Sequence, residues 1–189
     1  MNLENPVTTT AIMSRRIRAA WARSDSDARK AGANWYSAGM NIVNELAEAS
    51  GFTREQTAAA VAHLSPRLSW RLNIMGAQAM LLHDIIAPYL MRASVGRALQ
   101  ALGSTDPLST LRGPKTSRFA RNLLGDHDVV TVDAWMARVV LADRWKALGN
   151  AGVYDAVEAC FQGTARRVGV APAIMQAVIW ISERNNRVN

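Results

Sequence analysis

The sequence predicts an all-α protein of about eight helices. Apolar residues recur near a 3.6-residue period through nearly every segment, as Phe119, Leu123 and Leu124 do. No run alternates apolar and polar residues as a half-buried strand would. Capping residues, glycines and prolines mark where the periodic segments start and stop.

Residues 1–8 read as a flexible N-terminal arm. Thr9 to Ser24 reads as the first helix, with Ile12, Ile17, Ala20 and Trp21 on its buried side. Its Arg15, Arg16 and Arg18 cluster reads as a solvated face, with phosphate contact as the sharper alternative. Ser24 to Asp27 offers caps for a second helix that runs to Ser50 and closes at Gly51. Its apolar side holds Trp35, Tyr36, Met40, Ile42, Val43 and Leu46. The Trp35-Tyr36 pair reads as core in preference to a base-stacking wall.

Thr53-x-x-Gln56 has the form of a capping box. It opens a helix through Ala58, Val61, Ala62 and Leu64, and Pro66 stops it near Ser65. Ser69 caps the next helix, Trp70 to Ile86. The connection Leu64 to Asn73, LSPRLSWRLN, is richer in polar groups than a helix joint requires. Tyr89 to Leu102 forms another helix, stopped by Gly103. Asp106-Pro107 starts a short helical turn, Leu108 to Leu111.

The stretch Leu111 to Val140 organises the rest. Gly113 and Pro114 suit a turn leading into a helix, with Lys115 near the helix start and Gly125 at its end. Val129, Val130 and Val132 anchor the loop that follows. Asp133 caps the next helix, whose apolar face holds Trp135, Val139 and Val140. An amine and a carboxylate thus each open a helix, and the loop can fold them toward one cleft. Met136 to Leu148 closes at Gly149. Asn150 to Val168 carries Val153, Tyr154, Val157, Cys160 and Phe161 on one face. Pro172 opens a last helix through Ile181, with Trp180 as core.

With 189 residues, the chain suits a single domain over residues 9–189 with a sizeable core. Lysine and arginine number 22 against 15 acidic residues, a net charge of +7 that favours an anionic partner such as nucleic acid. The single cysteine, Cys160, reads as inert core; it excludes an internal disulfide and an iron–sulfur cluster. No signal peptide or membrane-length apolar run is present, so a reducing cytoplasm is expected. No obligate protein partner is implied. Asp126-His127-Asp128 reads as a polar loop in preference to a metal site. His63 reads as a satisfied, half-buried histidine, and neighbouring His83 and Asp84 point apart on a helix. No phosphate-loop, kinase or serine-hydrolase signature occurs.

Gly113-Pro114-Lys115-Thr116, a helix, then Val132-Asp133 resembles the helix-hairpin-helix DNA glycosylases, especially the endonuclease III branch. The 18-residue interval from Lys115 to Asp133 is the one that branch keeps between its lysine nucleophile and its aspartate. The resemblance implies a glycosylase-like helical bundle with the hairpin near residues 106–125, and DNA as partner. It implies Gly113, Thr116 and Arg118 at the DNA, and a monovalent cation at the hairpin. Only one of the family's two hairpin glycines is kept; Leu111 stands in place of the first. The Leu64–Asn73 connection is similar to the family's Leu-Ser-x-Gln turn, which fills the gap left by an extruded nucleotide. It implies DNA contacts for Ser65, Arg67, Ser69, Trp70 and Asn73, with Arg67 where the glutamine would be.

In the chemistry so implied, the Lys115 amine attacks the sugar carbon and displaces the base, and Asp133 steadies the positive charge on the sugar or accepts a proton. Two further readings stand beside it. Phages that hypermodify thymine use transferases resembling glycosylases, and the Ser-Pro-Arg-x-Ser-Trp and Gly-Pro-Lys pieces look similar to small phage-borne helical proteins. A noncatalytic DNA-binding module is the other.

Overall fold

The computed structural model describes residues 9–185. Among them are nine α-helices and no strand. The helices are α1 (Thr10–Arg23), α2 (Ser26–Ser50), α3 (Arg54–Leu64), α4 (Trp70–His83), α5 (Arg92–Leu102), α6 (Pro114–Leu123), α7 (Ala134–Leu141), α8 (Val153–Val168) and α9 (Pro172–Asn185). Two 3-10 segments, Pro107–Thr110 and Ala142–Gly149, complete the list. The expected N-terminal arm lies outside the described residues. The chain divides into two compact units, one of residues 37–126 and one drawn from residues up to 36 and from 127 onward.

In the unit of residues 37–126, α3 is the central post. Every residue from Thr57 to Leu64 is buried. Ala58, Ala59, Ala60 and Ala62 are fully buried, and such small side chains let neighbouring helices approach closely. The Thr53–Gln56 capping box forms as expected. The Gln56 amide also donates to the Leu102 carbonyl at 2.7 Å, tying the start of α3 to the end of α5. Leu64, Val61, Leu90, Val95, Leu111 and Leu123 fill the remaining core.

The other unit packs α1, α7, α8 and α9 around Ile17, Met136, Val140, Phe161, Met175 and Ile179. A Cβ added at Gly32 of α2 would sit 2.5 Å from the Val178 Cα of α9, so glycine sets that helix approach. Arg29 fixes the bend from α1 to α2: it donates to the Ser24 and Trp21 carbonyls, and its guanidinium lies 4.4 Å from the Trp21 ring centre.

Several boundaries differ from the sequence expectation. On α1 the buried side holds Met13, with Ile12 half-exposed. The fourth helix stops at His83, not Ile86, because Asp84 turns left-handed (φ 53°). The fifth starts at Arg92, not Tyr89, after a non-helical stretch that includes Pro88. The segment read as Met136–Leu148 breaks at Ala142 (φ 51°) and continues as a 3-10 segment. Gly152, at φ 75°, delays α8 to Val153.

Candidate functional site

Lys115 sits in the first turn of α6. Gly113 is the N-cap without a side-chain cap, and Pro114 takes the first helical position. Lys115 is half-buried, and among the described residues its ammonium has no hydrogen-bond or ion-pair partner. The Thr116 hydroxyl donates to the Gly113 carbonyl at 3.0 Å, which braces the turn. Further along α6, Ala120, Asn122 and Leu123 are buried and Phe119 is packed on the same core. Arg118 is half-buried and engaged with neighbouring groups. Leu123 ends the helix and Gly125, at φ 94°, reverses the chain.

The carbonyls of the turn before α6 carry local hydrogen bonds. The Gly113 oxygen accepts from both Ser117 N and the Thr116 hydroxyl. The Thr110 oxygen accepts from Arg112 N, and the Leu108 oxygen from Leu111 N. Among the described residues no group of three or more His, Cys, Asp or Glu side chains is arranged to hold a metal.

The polar connection upstream is a tight turn. Leu68 N donates to Ser65 O at 3.2 Å, with Pro66 and Arg67 at the two central positions. Arg67 has φ 64°, a conformation that glycine adopts without strain and arginine does not. An exposed arginine is thus held at the tip of a strained turn. The Ser65 hydroxyl is turned back to the Ala62 carbonyl (2.9 Å), and Ser69 caps α4 through Leu72 N. Trp70 meets Phe119 edge-on, ring centres 6.1 Å apart. Asn73 is only 2 % exposed, and its side-chain oxygen has no partner among the described groups. The connection therefore presents Arg67 to solvent and turns Trp70 and Asn73 into the unit.

Asp133 belongs to the other unit and is held from both sides. Its Oδ1 accepts from Met136 N at 2.9 Å, the N-cap bond that opens α7. Its Oδ2 accepts from the Trp180 indole nitrogen at 3.0 Å. Trp180 in turn lies against Trp35 (ring centres 5.2 Å apart), and the Arg184 guanidinium covers it at 4.5 Å. The extended approach to Asp133 is stapled by α8. Glu158 accepts from Val130 N at 2.8 Å; the Tyr154 hydroxyl accepts from Val132 N and donates to the Val130 carbonyl, both at 2.9 Å. Tyr36 is core, as read, and its hydroxyl donates to Gln176 at 2.7 Å. Burial pushes that phenol well above its ordinary pKa, so it stays protonated.

In the first unit a cleft of about 900 Å³ opens between α3, α5 and the turn before α6. His63, Arg97, Arg112, Thr110, Gly113 and Thr116 line it, with no carboxylate among its lining residues. His63 is 5 % exposed and bonds through Nε2 to the Thr110 hydroxyl at 2.9 Å. That hydroxyl donates to the Pro107 carbonyl, so it accepts from the ring and fixes the Nε2–H tautomer. Burial lowers the imidazole pKa below its usual 6.5, and the neighbouring Arg97 charge lowers it further.

Arg97 and Gln100 in this cleft, and Trp180 at Asp133, escaped the sequence reading. A surface arginine on a helix and a tryptophan on an apolar face carry no spacing signal of their own. The Arg15–Arg16–Arg18 cluster is partly committed, since Arg16 donates to the Val140 carbonyl at 2.9 Å. Asp126 pairs with Arg121, and the His127 carbonyl accepts from Ala173 N. No helix of the described residues is long and apolar enough to cross a membrane.

No curated protein and no solved structure matches the chain. One family does, over residues 1–187, and the protein belongs to it: the family of unknown function DUF7178.

Proposed function

We propose that the protein is a DNA glycosylase or abasic-site lyase acting on an extruded base, with Lys115 as nucleophile and Asp133 as the assisting carboxylate. The observation that carries this reading is the setting of Lys115. It is a half-buried amine without a partner among the described residues, one position past Pro114 at the uncapped start of α6. A structural lysine is ordinarily paired or fully solvated; a nucleophilic one must be accessible and not held as a salt bridge. The net charge of +7 and the exposed Arg67 at its strained turn suit a DNA partner.

In this chemistry the neutral amine forms a bond to the sugar C1′ while the C1′–N bond breaks. The base leaves with the electron pair and takes a proton. Ring opening gives a Schiff base at Lys115. Loss of a C2′ proton then expels the 3′-phosphate, and water releases the lysine. Asp133 is fixed in orientation by Met136 N and Trp180, so its own side chain would stabilise a developing positive charge without reorganising.

Those same two hydrogen bonds favour a second reading, a noncatalytic DNA-binding module, in which Asp133 only caps α7 and anchors Trp180. A glycosylase-like transferase on modified DNA is a third. The deciding experiment incubates the protein with oligonucleotides carrying uracil, oxidised pyrimidines, hydroxymethyluracil or an abasic site, with borohydride present. A covalent adduct lost in Lys115→Ala is the expected result. No adduct on any substrate, with DNA binding intact, overturns the lyase reading and favours the binding module or the transferase.

A further inference from the structure

We propose that the cleft between α3, α5 and the start of α6 is a binding site for a phosphomonoester, a terminal phosphate on a small polar carrier. The inference is independent of the Lys115 chemistry and concerns other side chains.

Four observations converge. First, at about 900 Å³ the cleft has the size of a small-molecule site and far exceeds a bare ion. Second, two guanidiniums from different elements line it, Arg97 from α5 and Arg112 from the turn. Among the described residues neither makes a hydrogen bond or an ion pair. The lining residues include no carboxylate, so two positive charges stand without compensation, which suits a dianion. Third, the Arg97 charge already acts on the cleft wall, where it adds to burial in favouring neutral His63. Fourth, Gly113 and Thr116 line the same cleft, and no side chain caps the first-turn amides of α6, so these donors add to the guanidiniums.

The lining also narrows the carrier. Besides His63 it holds no aromatic ring on which a base could stack, while Gln100, Ser104 and Ser109 offer polar groups. The ligand is therefore recognised through phosphate and hydroxyls, as in a sugar phosphate or the 5′-phosphorylated end of a DNA strand.

The two sources separate in one titration series. The full chain is titrated calorimetrically with ribose 5-phosphate and with ribose, then with a short oligonucleotide bearing a 5′-phosphate and its 5′-hydroxyl counterpart. The phosphorylated member of at least one pair should bind about tenfold or more tighter, and Arg97→Gln should remove that difference, since a charge-assisted hydrogen bond commonly accounts for such a factor. Arg112→Gln, on an exposed turn, should weaken binding in the same direction, and circular dichroism should show both variants folded. A preference confined to ribose 5-phosphate identifies a small metabolite; one confined to the oligonucleotide identifies a strand end. Equal binding within both pairs, or a preference untouched by both substitutions, overturns the proposal.

Discussion

Asp133 offers the sharpest test of how this protein is built, because its two oxygens have separate structural duties. Replacing it by alanine removes the N-cap of α7, a loss of about 1 kcal/mol. It also strips the Trp180 indole N–H of its acceptor in a half-buried setting, at about 1–2 kcal/mol. Asp133→Ala should therefore destabilise the chain by about 2–3 kcal/mol if the terms add. Asp133→Asn keeps one oxygen for the Met136 amide but turns an amino group toward Trp180, and should cost about 1 kcal/mol. The assay is urea unfolding followed by far-UV circular dichroism, with the midpoint falling and the slope unchanged. A double-mutant cycle with Trp180→Phe isolates the indole bond and should give a coupling of about 1 kcal/mol. A cost for Asp133→Ala below about 0.5 kcal/mol, or no coupling to Trp180, would refute this account of the carboxylate. The Asn variant then serves the activity assays, since it changes the charge with little loss of fold.

Gly32→Ala should destabilise by more than about 2 kcal/mol in the same urea assay, because its methyl would overlap the Val178 backbone. Gly39→Ala, meeting chiefly the movable Leu123 Cδ2 at 2.8 Å, should cost far less. Arg67→Gly should raise stability by about 0.5 kcal/mol by relieving the left-handed arginine, while weakening DNA binding in a gel-shift titration. Because the folded pKa of His63 lies below its unfolded value, the unfolded chain binds the proton first. Its contribution to stability is complete above about pH 6.5 and falls away as pH drops through the folded pKa. Urea midpoints measured across that range should decline toward acid, and less steeply in His63→Gln.

Local chemistry explains which parts of the fold could be read in advance. Thr53, Ser69 and Asp133 act on their own helix starts within three residues, so their caps were legible. Gly113-Pro114 likewise set the start of α6. Two of the misplaced boundaries, the ends of α4 and α7, occur where the non-glycine residues Asp84 and Ala142 adopt positive φ, which no local pattern announces. Lys115 and Asp133 were singled out through spacing and resemblance. Trp180, which holds Asp133, was not, because it reaches the carboxylate from 47 residues away; Arg97, which lines a separate cleft, was not, because it comes from a different helix. Arg67 shows the intermediate case: its turn was evident from Pro66, while its strain was not.

The order of the chain has a consequence for how it is made. Residues 37–126 form a contiguous unit, so a ribosome delivers that whole core in one uninterrupted stretch. The other unit is split: α1 emerges first, yet the surfaces that bury Ile17 belong to elements after residue 127. During synthesis α1 must therefore wait with its apolar stripe uncovered while the inserted segment is completed, an exposure that invites chaperone capture. Closing the split core joins distant ends, so its folding should lag behind that of the inserted unit. A nascent chain stalled after residue 126 should thus hold protease-resistant helices from the insertion alone, with α1 still cleavable.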